Sequence, residues 1–224
     1  MKDSEKKNTG SRLLHITDEK KVFISDNIRS VRLEKPSLLL HACCGPCATS
    51  VVERLAEEFN ITVFYYNPCI TDEEEYKRRK EALIKFIKTF NNERLDPLNN
   101  TTRGDVRFME GPYNPGAFIE ACKGYENEPE GGARCALCFR QRLEKTAESA
   151  GMAGCDYFGT TLTVSPHKNY KLISEIGKEI AMKYKLTFLD RDFKKQDGFK
   201  RSIELSKQYG LYRQDYCGCC FSAR

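Results

Sequence analysis

A chain of 224 residues, 40% hydrophobic and 31% charged, has the composition of a soluble globular protein able to bury a sizeable core. No apolar run approaches the roughly 18 residues a membrane helix needs, and the charged opening MKDSEKKNTGSR lacks a signal-peptide core, so a cytoplasmic protein with no membrane partner is expected. The net charge of +5 is uneven: residues 165–224 carry thirteen Lys/Arg against seven Asp/Glu, a balance that suits a polyanion such as RNA or merely a solvated lysine-rich surface.

Residues 1–36 read as an N-terminal extension ending at Pro36, with local order expected only around VFIS (22–25). From Ser37 a strand-helix alternation begins and runs to the end, giving one α/β domain over 37–224. SLLLHA (37–42) is a short buried strand, followed by helix-period residues in ATSVVERLAEEF (48–59). ITVFYYN (61–67) is a second strand. DEEEYKRRKEALIKFIKTF (72–90) is a long amphipathic helix, with Asp72 as N-cap and Glu75 completing a capping box.

A third strand is expected at ERLDPL (93–98), weakened by Pro97. Helices follow at NPGAFIEACKGY (114–125) and, after a Gly/Pro/Glu loop, through CFRQRLEKTAESA (138–150). CDYFGTTLT (155–163) is a fourth strand, YKLISEIGKEIAMKY (170–184) a helix, LTFLDRDF (186–193) a fifth strand and GFKRSIELSKQY (198–209) the last helix. This order predicts a parallel three-layer sheet of Rossmann-like (HUP-like) type with helices on both faces. Chemistry in such sheets gathers beyond the carboxyl ends of the strands. HACCGPC, YNPCI, TTLTVSPHKN and DRDFKKQDG fall there, and none carries a Gly-rich dinucleotide fingerprint or a GK[ST] phosphate loop.

Eleven cysteines in a reducing compartment point to metal binding or redox catalysis rather than a disulfide framework. Cys135 and Cys138 form a CxxC in the first turn of a helix starting near Arg134, where the helix dipole favours thiolate. Cys43, Cys44 and Cys47 occupy a second strand-to-helix junction. Two of these with the CxxC make four thiolates, enough for zinc or an iron–sulfur cluster. The near ninety residues between the two groups suit a functional centre on a formed fold better than a compact zinc module, whose knuckles stand about 10 to 25 residues apart. Cys217-Gly218-Cys219 closes only a small, strained and easily reduced disulfide; the pair and Cys220 are otherwise further ligands or mere small residues. Cys122 and Cys155 read as core packing, His41 as a satisfied core histidine, and Cys69 stays open. The CGPC of residues 44–47 matches the thioredoxin tetrad, but the chain has no Trp, and a dithiol switch leaves Cys135, Cys138 and the tail unexplained.

Seven stretches taken together resemble the cobalamin-independent epoxyqueuosine reductases of the QueH type: LLLHACCGPC (38–47), YNPCI (66–70), EYKRRKEAL (75–83), EGGARCALCFRQRLEKTA (130–147), FGTTLTVSPHKN (158–169), DFKKQDGFKRS (192–202) and YRQDYCGCCFS (212–222). The resemblance implies reduction of epoxyqueuosine to queuosine at the wobble position of tRNA. It implies a [4Fe–4S] cluster on Cys43, Cys44, Cys135 and Cys138, a redox-active pair in Cys217 and Cys219, and an electron donor whose identity is open. Cys47 stands where the family often has Asp, leaving room for a second metal ion near it, and Cys69 stands where Asn is common. His167, Lys168, Asp190 and Asp197 fall on the same sheet edge as candidate proton donors or RNA contacts. The competing readings are a zinc-stabilised RNA-binding module and a thioredoxin-like dithiol oxidoreductase. A tRNA sulfur transferase on a similar fold would need a Ser/Gly-rich pyrophosphate loop where CCGPC stands.

Overall fold

A computed structural model describes residues 35–94 and 105–222. Five parallel strands form one sheet in the order β3-β2-β1-β4-β5: β1 (Ser37–Ala42), β2 (Asn60–Tyr65), β3 (Arg107–Glu110), β4 (Tyr157–Thr160) and β5 (Thr187–Phe188). The helices are α1 (Gly45–Leu55), α2 (Glu73–Arg94), α3 (Pro115–Ala121), α4 (Ala133–Met152), α5 (Tyr170–Tyr184) and α6 (Gly198–Gln208), with a 3-10 turn at Thr161–Val164. The three-layer parallel α/β expectation holds. The extension at 1–36 falls, but for its last two residues, outside the described residues.

β1 is central and buried on both faces, so it reads as an unbroken apolar run rather than an alternation. Leu38, Leu40 and Ala42 pack into the core beneath α1 and α2 with Val51, Val52, Leu55 and Phe86, while Leu39 packs under α4 and α5 with Leu143, Ala147 and Ile173. Each of the three leucines is fully buried, and truncating one to Ala would cost about 2–5 kcal/mol. The strand order reverses between the parallel neighbours β1 and β4, and the crevice beyond their carboxyl ends is where ligands bind in open α/β sheets.

The third strand is a correction. Glu93 and Arg94 are the last residues of α2, residues 95–98 lie outside the described ones, and β3 is RFME at 107–110. As an edge strand paired only with β2, half exposed and charged at both ends, it carries no apolar run to betray it. β5 is likewise two residues long where eight were expected.

Asp72 caps α2 as expected, its Oδ1 accepting the Glu75 N–H at 2.7 Å. The Glu75 side chain does not return to the cap. It is taken by Arg79 Nε at 2.6 Å and the Tyr212 hydroxyl at 2.7 Å. Glu75 and Arg79 are both buried, and this ion pair ties down the C-terminal tail: Arg79 also donates to the carbonyls of Cys217 (3.0 Å) and Tyr216 (3.2 Å). Gly218 has φ of +100°, a backbone only glycine adopts without strain, and the Thr71 N–H bonds its carbonyl at 3.2 Å. The tail thereby folds back over the sheet edge.

Candidate active site

The sulfurs of Cys43, Cys44 and Cys47 lie within 4.8 Å of one another, a group able to bind a metal ion. Cys44 is fully buried and serves as the N-cap of α1, so its sulfur does what a serine oxygen would do. Three donors converge on it: the Cys47 N–H at 3.4 Å, the Cys43 thiol at 3.8 Å and Gln214 Nε2 at 2.9 Å. Burial pushes the Cys44 thiol up, but hydrogen bonds from Cys43 and Cys47 and the charge of Arg79 win and hold it well below the ordinary thiol range. Cys47 is pushed up by its hydrogen bonds to Cys43 and Cys44. Gly45, inside the CGPC tetrad, serves packing: a Cβ there would meet the Ala82 backbone at 2.8 Å, where α1 crosses α2.

The second group sits in the first turn of α4, whose N-cap is Gly132 with no side-chain cap. The Cys135 sulfur accepts the Gly131 N–H at 3.2 Å. Cys138 hydrogen-bonds Cys69, which lowers the Cys69 thiol and raises that of Cys138, so the pair holds one proton tightly and gives up the other readily. A metal ion displaces such protons. One turn on, Arg142 is buried at 2% exposure. Its Nε donates to the Cys138 carbonyl at 3.2 Å, its Nη2 has no partner, and the charges nearest to it are the thiols of Cys138, Cys69, Cys217 and Cys43.

The tail supplies the third group. Lys168 Nζ donates to Cys217 Sγ at 3.2 Å from a side chain only 12% exposed. The hydrogen bond from Cys219 lowers Cys217 most; burial opposes it, and Lys168 and Arg142 add to it, leaving Cys217 well below the ordinary range. Cys219 is raised by giving that hydrogen bond and by burial. The pair is therefore polarised, thiolate on 217 and thiol on 219. Cys217 and Lys168 stand between two spaces. On one side lies an inner cavity lined by Cys135, Cys138, Arg142 and Cys219; on the other, an open cavity of about 440 Å³ lined by Cys47, His167, Arg213, Gln214, Asp215 and Tyr216.

Of the residues expected from sequence, Cys43 and Cys44 fall in the first group, and Cys135 and Cys138 line the inner cavity with Cys217 and Cys219. All eleven cysteines are thiols. Cys122 is core, Cys155 is half-buried and Cys220 is exposed. His41 is a satisfied core histidine, bonded to Thr160 Oγ1 at 3.0 Å and to the Tyr66 carbonyl at 3.1 Å. Asp190 is taken by Lys178, Ser174 and Tyr170, and Asp197 stands at the N-cap position of α6, without a side-chain capping bond, in a surface groove with Glu53, Arg54 and Arg201. Cys69 joins the site as the partner of Cys138. Arg142 and Gln214 went unnoticed in the sequence. Arg142 follows Cys138 by four residues, one turn on the same helix face, which is the signal that marks it; Gln214 has none.

A family model described as epoxyqueuosine reductase QueH matches residues 38–224. The chain is 41% identical over 190 residues to the epoxyqueuosine reductase QueH of Streptococcus pyogenes serotype M1, covering 85% of this chain and 71% of that one. It is 42% identical over 192 residues to the protein of that name from Staphylococcus epidermidis (85% and 77% covered). Against the one from Thermotoga maritima it is 37% identical over 190 residues (83% and 90% covered).

Proposed function

The chain belongs to the epoxyqueuosine reductase QueH family and is an oxidoreductase, and on that premise we propose that it removes the epoxide oxygen of epoxyqueuosine in tRNA. In this reading Cys43, Cys44, Cys135 and Cys138 hold a [4Fe–4S] cluster and Cys217 with Cys219 is the redox pair. The observation that carries it is the place of Cys217 and Lys168, which line both the open cavity and the inner thiol cavity. A cavity of about 440 Å³ has the size of a small-molecule site, which suits one nucleoside turned out of its strand.

The residues fit a cluster. Four thiols come from two helix amino ends, where thiolate is favoured. Arg142 is a buried cation with an unpartnered Nη2 and, among the described residues, no carboxylate within ion-pair reach; a thiolate-held centre supplies the negative charge it lacks. When bound, the cluster supplies single electrons and an iron Lewis acid for the epoxide oxygen.

The protein's own groups balance the reaction. An epoxide accepting two electrons and two protons gives an alkene and water. The Cys217 thiolate and Cys219 thiol yield two electrons and one proton as their disulfide forms; the Lys168 ammonium yields the second proton. An external electron donor then restores the dithiol. No helix among the described residues is long and apolar enough to cross a membrane, and we place the enzyme in the cytoplasm with its tRNA. The catalytic unit in this reading is residues 37–224.

Anaerobic purification followed by iron and sulfide analysis, with turnover measured on tRNA bearing the epoxide, tests the proposal. A Cys217→Ser variant is expected to keep its iron and lose turnover; full turnover in that variant refutes the redox assignment. One observation favours a second reading. The tight grouping of Cys43, Cys44 and Cys47 suits a single ion, and one zinc per chain, indifferent to loss of Cys135, would support it over the cluster.

A further inference from the structure

Gln214 lies three residues before Cys217 and spans two parts of the site. Its Nε2 donates to Cys44 Sγ at 2.9 Å, while its Oε1 is buried without a hydrogen-bond partner. This amide orientation suits a metal-bound thiolate, which only accepts and so faces the NH2 group. Gln214 is also part of the wall of the open cavity, alongside Cys47 and Cys217. A buried amide oxygen left unpaired costs about 1–3 kcal/mol. A donor that arrives with the substrate, a hydroxyl or an amine N–H beside the epoxide, relieves that cost.

Resting on the cluster reading above, we propose that Gln214 is a positioning residue that sets the reduction potential of the Cys44-ligated centre and makes it respond to substrate. Reduction adds negative charge to the centre and its sulfurs, so an N–H aimed at Cys44 stabilises the reduced form more than the oxidised one and raises the potential. A substrate donor on Oε1 polarises the amide and strengthens the N–H···S bond at its other end, because hydrogen bonds in a chain reinforce one another. The reduced centre thus becomes easier to form when an epoxide is present to consume the electrons. The tail stays in place without this contact, because Arg79 holds the Tyr216 and Cys217 carbonyls independently.

The test is a redox titration of anaerobically loaded protein, followed by its visible and paramagnetic spectra, for the wild type, Gln214→Leu and Gln214→Glu. Leucine removes the donor; at mildly alkaline pH glutamate puts a negative charge beside the sulfur. The expected order of midpoint potentials is wild type, then Leu, then Glu, at equal iron content. The Leu variant should need about a tenfold higher ratio of reduced to oxidised mediator, which is about 59 mV for a one-electron couple. Adding substrate should raise the wild-type midpoint and leave the Leu variant where it was. Iron-loaded variants at the wild-type potential overturn this inference alone, as does loss of iron in Gln214→Leu, which makes the contact one of retention. A wild-type protein that binds no iron overturns the cluster reading and this inference with it.

Discussion

Replacing Lys168 by Met should push the Cys217 thiol up toward the ordinary range while leaving the fold intact. The Nζ–Sγ separation is 3.2 Å and the lysine side chain is 12% exposed, so water screens the pair little. At an effective dielectric of about 20 the gross attraction is about 5 kcal/mol, most of which is offset by desolvation of the two ions. The net value of a hydrogen bond to a charged group is about 1.5–3 kcal/mol, so the acid dissociation constant of Cys217 should fall roughly ten- to hundredfold. The Cys219 hydrogen bond and the charge of Arg142 remain and keep the loss from being larger. The assay is the rate of iodoacetamide alkylation at Cys217, resolved from the other thiols by peptide mass spectrometry under anaerobic conditions. Because the folded Cys217 titrates below the ordinary thiol range, wild-type alkylation should level off at a lower pH than that of an ordinary thiol. In the Met variant the rate should climb with pH up to the ordinary range, and Lys168→Arg should restore most of the wild-type profile. Identical profiles for wild type and Lys168→Met would refute the pairing of Lys168 with a Cys217 thiolate.

Cys135→Ala should lose most of its iron and its brown colour, read by metal analysis, whereas Cys47→Ala should keep both; the reverse result would move the centre onto the Cys43–Cys44–Cys47 group. His41 titrates at about 4, lowered by burial and by Arg142, against 6.5 when unfolded. Its contribution, about 3 kcal/mol, is therefore complete above pH 6.5 and is lost as pH falls toward 4, so His41→Asn should flatten the acid side of the urea-stability profile relative to wild type. Binding of tRNA should weaken on the order of a hundredfold between low and moderately high salt if about five phosphates are neutralised, and a flat salt dependence in a filter-binding titration would exclude a backbone contact.

The parts of the fold that sequence made plain are those whose burial is continuous along the chain. β1 announces itself because both its faces are covered, and α2 because its apolar stripe and Asp72 cap agree. β3 was misplaced because an edge strand of four residues, with Arg107 and Glu110 at its ends, has one neighbour and little to bury. The same distinction runs through the site. Cysteines are rare enough to be found by spacing, so both helix-end groups and the Cys217–Gly218–Cys219 pair were visible. The inward roles of Arg79 and Glu75 were not, because EYKRRKEAL reads as part of an amphipathic helix with Glu75 as a capping-box partner; the two charges pair in the interior where the distant tail lies over them. Cys69 needed the third dimension to meet Cys138.

What joins these residues is charge. Arg142 and Lys168 are buried or nearly so, and among the described residues the carboxylate paired with either is Glu130, half exposed and 3.9 Å from Lys168. A protein that keeps two cations out of water must offer them anions, and among the described residues those candidates are chiefly sulfurs: Cys43, Cys69, Cys138 and Cys217 around Arg142, and Cys217 beside Lys168. Each thiol in that set is neutral in water at neutral pH and becomes an anion by ionising or by ligating a metal. The two cations thus bias every sulfur around them toward thiolate at once. In the proposed cycle the disulfide forms as Lys168 gives up its proton, so the anion and the cation of this pair disappear together and neither is stranded beside the open cavity. Reduction by a donor, in that cycle, returns the thiolate and the ammonium together.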